Sequence, residues 1–190
     1  MKRIVKLLAV TAGMILALMG CGRQEPAGEE RVMVADPADL LNKVWDKFGE
    51  EERFPAMGGD PGNPVDNGAG IFNIEDKESL TYMLYLPAEQ AGMIDEAASL
   101  IHAMNANTFT GAAFHLTKEA DAEALAEALR ESILNTRWMC GFPDEMAIYV
   151  VNDEYVVSAF GKEEIMKQFK ASLSQVFGKG AVPAAEEKIE

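Results

Sequence analysis

Apolar positions along the chain fall into blocks whose spacing predicts alternating helices and strands. Leu40, Leu41, Val44, Trp45 and Phe48 recur every three or four residues, the spacing that gathers side chains on one face of a helix. Asp36-Pro37 supplies a cap and a proline for its first turn, and Gly49 a stop. Residues 79–86, SLTYMLYL, read as a strand closed by Pro87. A helix is predicted from Gln90 to Met104, with Met93, Ile94, Ala97, Leu100, Ile101 and Met104 on one face. Residues 108–116, TFTGAAFHL, predict a second strand, weakened at Gly111. An alanine-rich helix follows over 117–137. Leu125, Leu129, Ile133 and Leu134 face inward, while Glu119, Asp121, Glu123 and Glu127 crowd the N-terminal half, where the helix dipole favours them. MAIYVV (146–151) and YVVSAF (155–160), separated by Asn152-Asp153-Glu154, predict a β-hairpin. A last helix runs from Lys162 to Phe177, and residues 179–190 read as a disordered tail.

This order predicts one α+β domain over residues 36–178. A small mixed or antiparallel four-stranded sheet with a C-terminal β-hairpin would pack against three or four helices. The first strand–helix–strand units admit a right-handed crossover, which would leave the sheet mixed. Residues 55–70, PAMGGDPGNPVDNGAG, interrupt the pattern with turn-forming residues and read as a long loop. Its Asp60, Asn63, Asp66 and Asn67 make it a candidate binding loop. A plain solvent loop, a surface for a partner and a metal site are the readings open. The spacing does not meet the helix-loop-helix calcium motif.

The chain opens differently. Lys2, Arg3 and Lys6 precede an apolar run from Leu7 to Gly20 that stops at Cys21, the layout of a secretory signal peptide. Fourteen apolar residues fall short of the roughly 20 a spanning helix needs. Leu18-Met19-Gly20-Cys21 resembles the lipobox of bacterial lipoproteins, with Met19 in place of the smaller residues commoner at that position. The resemblance implies cleavage before Cys21 and a diacylglyceryl group on its sulfur, hence a palmitate-bearing anchor on the extracytoplasmic side of a cell membrane. Ordinary secretion and a retained anchor are the alternatives. Residues 21–35 then read as a flexible tether.

Charge narrows the partners. The chain carries 17 Lys+Arg against 31 Asp+Glu, a formal net charge of −14. Loss of residues 1–20 removes three basic residues and no acidic one, leaving −17. That disfavours nucleic acid and peripheral binding to anionic head groups, both of which need basic patches. With Cys21 lipidated, Cys140 is the only remaining cysteine, so a disulfide framework within one chain is excluded.

Few residues suggest catalysis. Trp138-Met139-Cys140-Gly141-Phe142-Pro143 resembles the Trp-Cys-Gly surroundings of thioredoxin-like proteins, but Pro143 stands where the second cysteine would be. Cys140 is therefore a candidate reactive thiol without a resolving partner in the chain, or a buried one in an apolar turn. His102 and His115 lack the i, i+4 spacing of a zinc-binding helix. No Gly-x-Ser-x-Gly elbow or phosphate-cradling glycine loop occurs, and no cofactor or metal is expected. Met93, Met104, Met139, Met146 and Met166 read as core filler.

Residues 92–177, including WMCGFP and YVVNDEYVVSAFG, weakly resemble small bacterial lipoproteins with a domain of unknown function. That resemblance implies an architecture and no activity. The leading expectation is a non-catalytic cell-envelope lipoprotein that binds an envelope protein or peptide. A solute- or metal-binding lipoprotein serving a transporter is the second reading, and a thiol-dependent enzyme using Cys140 the third.

Overall fold

The computed structural model describes residues 31–104, 108–139 and 141–189. Cys21 and Cys140, and so the lipidation and thiol expectations, lie outside the described residues. The described chain is α+β: an eight-stranded antiparallel sheet with helices on both faces. Helix α1 (Pro37–Trp45) precedes three short strands, β1 (Ala56–Gly58), β2 (Val65–Asp66) and β3 (Gly70–Phe72). Helix α2 (Lys77–Leu84) and a 3-10 turn at residues 88–93 lead into β4 (Ile94–His102) and β5 (Phe109–Leu116). Then come α3 (Ala122–Leu134), β6 (Glu145–Val151), β7 (Tyr155–Gly161), α4 (Glu163–Phe177) and β8 (Ala181–Lys188). The sheet runs β2-β1-β4-β5-β7-β6-β8, and β3 shares the outer edge of β4 with β1.

Every strand pairing among the described residues is antiparallel, so the sheet is not mixed. The crossovers survive in another form. β5 leads over α3 to β6 and β7 leads over α4 to β8, each skipping one strand. The two connections step across the sheet in the same direction but start from strands of opposite direction. A shared right-handed sense then requires the helices on opposite faces. That is where they pack: α4 joins α1 over Ala113, Tyr149 and Val157, while α3 lies with α2 over Phe114, Ile148 and Val156.

Covering both faces explains two corrections. Residues 90–104, expected as a helix, form the 3-10 turn and β4. Ala97, Ala98, Ser99 and Leu100 are all buried, because a strand covered on both sides shows a continuous apolar run instead of alternation. The expected strand at 79–86 is helix α2 and its end. Asp76 accepts the Ser79 N–H as an N-cap, Leu80 and Leu84 bury one face at i, i+4, and Tyr85 stops the helix in the left-handed region.

The expected disordered tail is also corrected. Residues 181–188 form edge strand β8, paired along β6. Ion pairs fasten it to both helical layers: Arg130 on α3 grips Glu187, and Lys170 on α4 reaches Glu186 at 3.7 Å. The Tyr149 hydroxyl donates to Glu186. Burial, then the Glu186 carboxylate, pushes the Tyr149 pKa up. Pro183 sits beside the register shift between Ile148 and Tyr149, where a missing N–H is tolerated. With β8 and the three short strands, the sheet has twice the expected four.

Candidate functional site

The 55–70 stretch, expected as one long loop, holds β1, β2 and the start of β3, and its hydrogen bonds are made by Asp60 and by backbone groups. Asp60 is only 8% exposed. Its Oδ1 accepts the Gly62 and Asn63 N–H groups, and its Oδ2 accepts that of Asn73 at 3.2 Å. Asn63, Asp66 and Asn67 are exposed. The loop is sewn to α1, because Asn42 both donates to and accepts from Ala69, and Trp45 Nε1 donates to the Asn67 carbonyl at 3.0 Å. A Cβ on Gly58 would fall 2.3 Å from Gly70 N, and Gly59 holds φ +78°. The glycines thus serve backbone packing and a left-handed turn.

The histidines stand apart. His115 pairs with Glu96 across the β4–β5 ladder, whereas His102 lies six positions further along β4. At about 3.4 Å per residue that is roughly 20 Å. His115 Nδ1 contacts Asp95 at the surface, beside the Tyr155 ring. His102 is buried and stacks on Phe54 at 4.7 Å, and its Nδ1 accepts the Met104 N–H. Burial lowers its pKa. Among the described residues no group of three His, Cys, Asp or Glu side chains is placed to hold a metal ion.

A groove of about 1220 Å³ lies between α2 and the C-terminal end of α3, floored by the sheet. Phe160 of β7 and Thr110 of β5 reach it from the floor. Tyr85, Trp138 and Phe160 form a ring cluster, with centroids 4.9 Å apart for Tyr85–Phe160, 5.1 Å for Trp138–Phe160 and 5.4 Å for Tyr85–Trp138. Around it, Tyr82 is 83% exposed, Met139 89% and Met104 50%. Local structure explains the opening. Tyr85 ends α2 at φ 60°, and the residues after α3 leave the helix at Asn135. The Thr108 hydroxyl donates to the Gly141 carbonyl, so the segment carrying Trp138 is tied to the start of β5.

The polar groups of the groove are few and sparsely used. Trp138 Nε1 is buried and has no hydrogen-bond partner among the described residues; an unsatisfied buried donor costs about 1–3 kcal/mol. Lys77 and Arg137 line opposite walls and are exposed. Arg31, Arg53 and Arg130 are ion-paired, and among the described residues Arg137 is the arginine that has no ion pair. No motif in the sequence marks this site. Tyr82 and Tyr85 lie in the stretch expected as a strand, Trp138-Met139 beside Cys140, and Met104 and Met139, expected as core filler, are exposed instead. The signal that was there is an aromatic and methionine-rich run on each side of the β4–β5 hairpin.

No protein-family model matches the chain, and neither a curated protein nor a solved structure is significantly similar to it.

Proposed function

We propose that the protein is a non-catalytic binding module of the bacterial cell envelope, held at the membrane by a lipid on Cys21, with the α2–α3 groove as its binding surface. The observation that carries this reading is the aromatic floor rimmed by Tyr82, Met104 and Met139. Large apolar side chains left open around a concave surface are a signature of a docking site. Both side-chain types suit recognition: aromatic rings are large and entropically inexpensive to order, and methionine adapts its shape to what it meets. The described titratable groups around the groove suit binding: His102 has its Nδ1 committed to Met104 N–H, and Glu78, Lys77 and Arg137 are surface side chains. The anchor rests on the lipobox resemblance. No helix among the described residues is long and apolar enough to cross a membrane.

A photo-crosslinking amino acid placed at position 82 of the full chain tests both halves in intact cells. The expected result is a discrete crosslinked species in the membrane fraction, with the same substitution at Lys167 giving none. The wild-type protein should incorporate labelled palmitate and Cys21→Ser should not. Crosslinks at 167 but not at 82 would overturn the groove reading. Labelling that survives Cys21→Ser, or none in the wild type, would overturn the anchor.

A further inference from the structure

Resting on the groove reading, we infer that the occupant is an extended peptide segment of a partner protein, carrying aromatic or aliphatic anchors beside carboxylate side chains. Three observations converge on that chemistry. The first is size: about 1220 Å³ exceeds the roughly 300–1,000 Å³ typical of small-molecule pockets, and the groove is an open trough walled by two helices. The second is charge. The chain is strongly acidic, at −14, yet the described lining of the groove carries two cations, Lys77 and Arg137, against one carboxylate, Glu78. Arg31, Lys43, Arg53, Arg130, Lys162 and Lys170 are held in internal ion pairs, whereas Lys77 and Arg137 have none among the described residues. Cations held next to an apolar floor complement a ligand that pairs apolar groups with anions. The third is the Trp138 indole N–H, a buried donor unpartnered among the described residues. A small shift of the ring would let it donate to a ligand oxygen, and a peptide brings carbonyl and carboxylate oxygens alike.

A fatty acid shares the apolar-plus-carboxylate chemistry, but its chain calls for an enclosed apolar tunnel. This groove is open, and Thr110, Ser132 and Thr136 add polar groups along it that suit a peptide backbone.

Selection of a random twelve-residue peptide display library against the full-length protein tests the inference, with palmitate as a competing probe. Tyr82→Ala, an exposed change that leaves the core intact, serves as the groove control. The expected result is enrichment of Phe, Trp, Tyr or Leu next to Asp or Glu. Selected peptides should bind about fivefold more weakly to a Lys77→Gln/Arg137→Gln double variant, the scale of two partly exposed ion pairs. Binding should also weaken with Tyr82→Ala. Enriched peptides that lack acids, or that ignore the double variant while still needing Tyr82, would overturn the acidic-peptide inference and leave the groove reading standing. Palmitate binding that needs Tyr82 and excludes every peptide would do the same. Binding indifferent to Tyr82, or no binding of either probe, would overturn both.

Discussion

Two buried polar residues show how the same side-chain types can be structural where the sequence suggested chemistry. Asp60 satisfies three backbone N–H groups from a position 8% exposed. Asp60→Ala should therefore destabilise the domain by about 1–3 kcal/mol through stranded donors, read as a lower urea midpoint. His102 works by staying neutral. Burial lowers its pKa, and protonating Nδ1 would also lose the Met104 N–H bond. The unfolded chain then binds the proton more readily, so stability falls as pH drops from the ordinary histidine value of about 6.5 toward the depressed folded one. Urea melts between pH 8 and 5 should show this loss in the wild type. His102→Phe, which preserves stacking on Phe54, should flatten that part of the profile; an unchanged slope would assign it to other groups. At this scale the sequence was informative about residue type and poor on role, because the partners of Asp60 are backbone amides that no motif records.

At the scale of elements, legibility followed exposure. Helices α1, α3 and α4 and the β6–β7 hairpin were readable, since each has either one wet face or a turn signal between apolar runs. α2 and β4 exchanged identities, for opposite reasons. The eight residues of α2 are too few for periodicity to outweigh their aromatic and β-branched content. β4 is buried on both sides, and its Ala-Ala-Ser run resembles a helix. β8 was illegible because few apolar residues, Ala181, Ala185 and the following Ile189, pack it on the core. Its residues are mostly exposed, and it is fixed by the β6 ladder and by Glu186 and Glu187 reaching Lys170 and Arg130. Ending the chain after Gly180 should expose the β6 edge and the Ile148–Val151 backbone. The expected outcome is a thermal midpoint lower by about 10 °C or more, a loss of several kcal/mol for a domain this size, with concentration-dependent aggregation. An unchanged midpoint would mean β8 contributes nothing to stability.

For the whole molecule, the face assignments of the two crossovers decide where the groove lies. α1 and α4 seal one face with a chain of rings running Trp45, Phe54, Phe109 and Phe169. On the other face α2 and α3 leave a gap over Thr110 and Phe160, and the gap is the groove. The sequence could not reveal this, because the groove depends on which strands α2 and α3 cover, and strand order has no local signature. The direct test is hydrogen–deuterium exchange on the full-length protein in isolated envelopes and after purification away from them. The account predicts slower exchange in the envelope at residues 77–85 and 136–142, with little change at 56–66. Protection centred on 56–66, or equal exchange in the two states throughout, would contradict the claim that the α2–α3 groove is where this protein meets its partner.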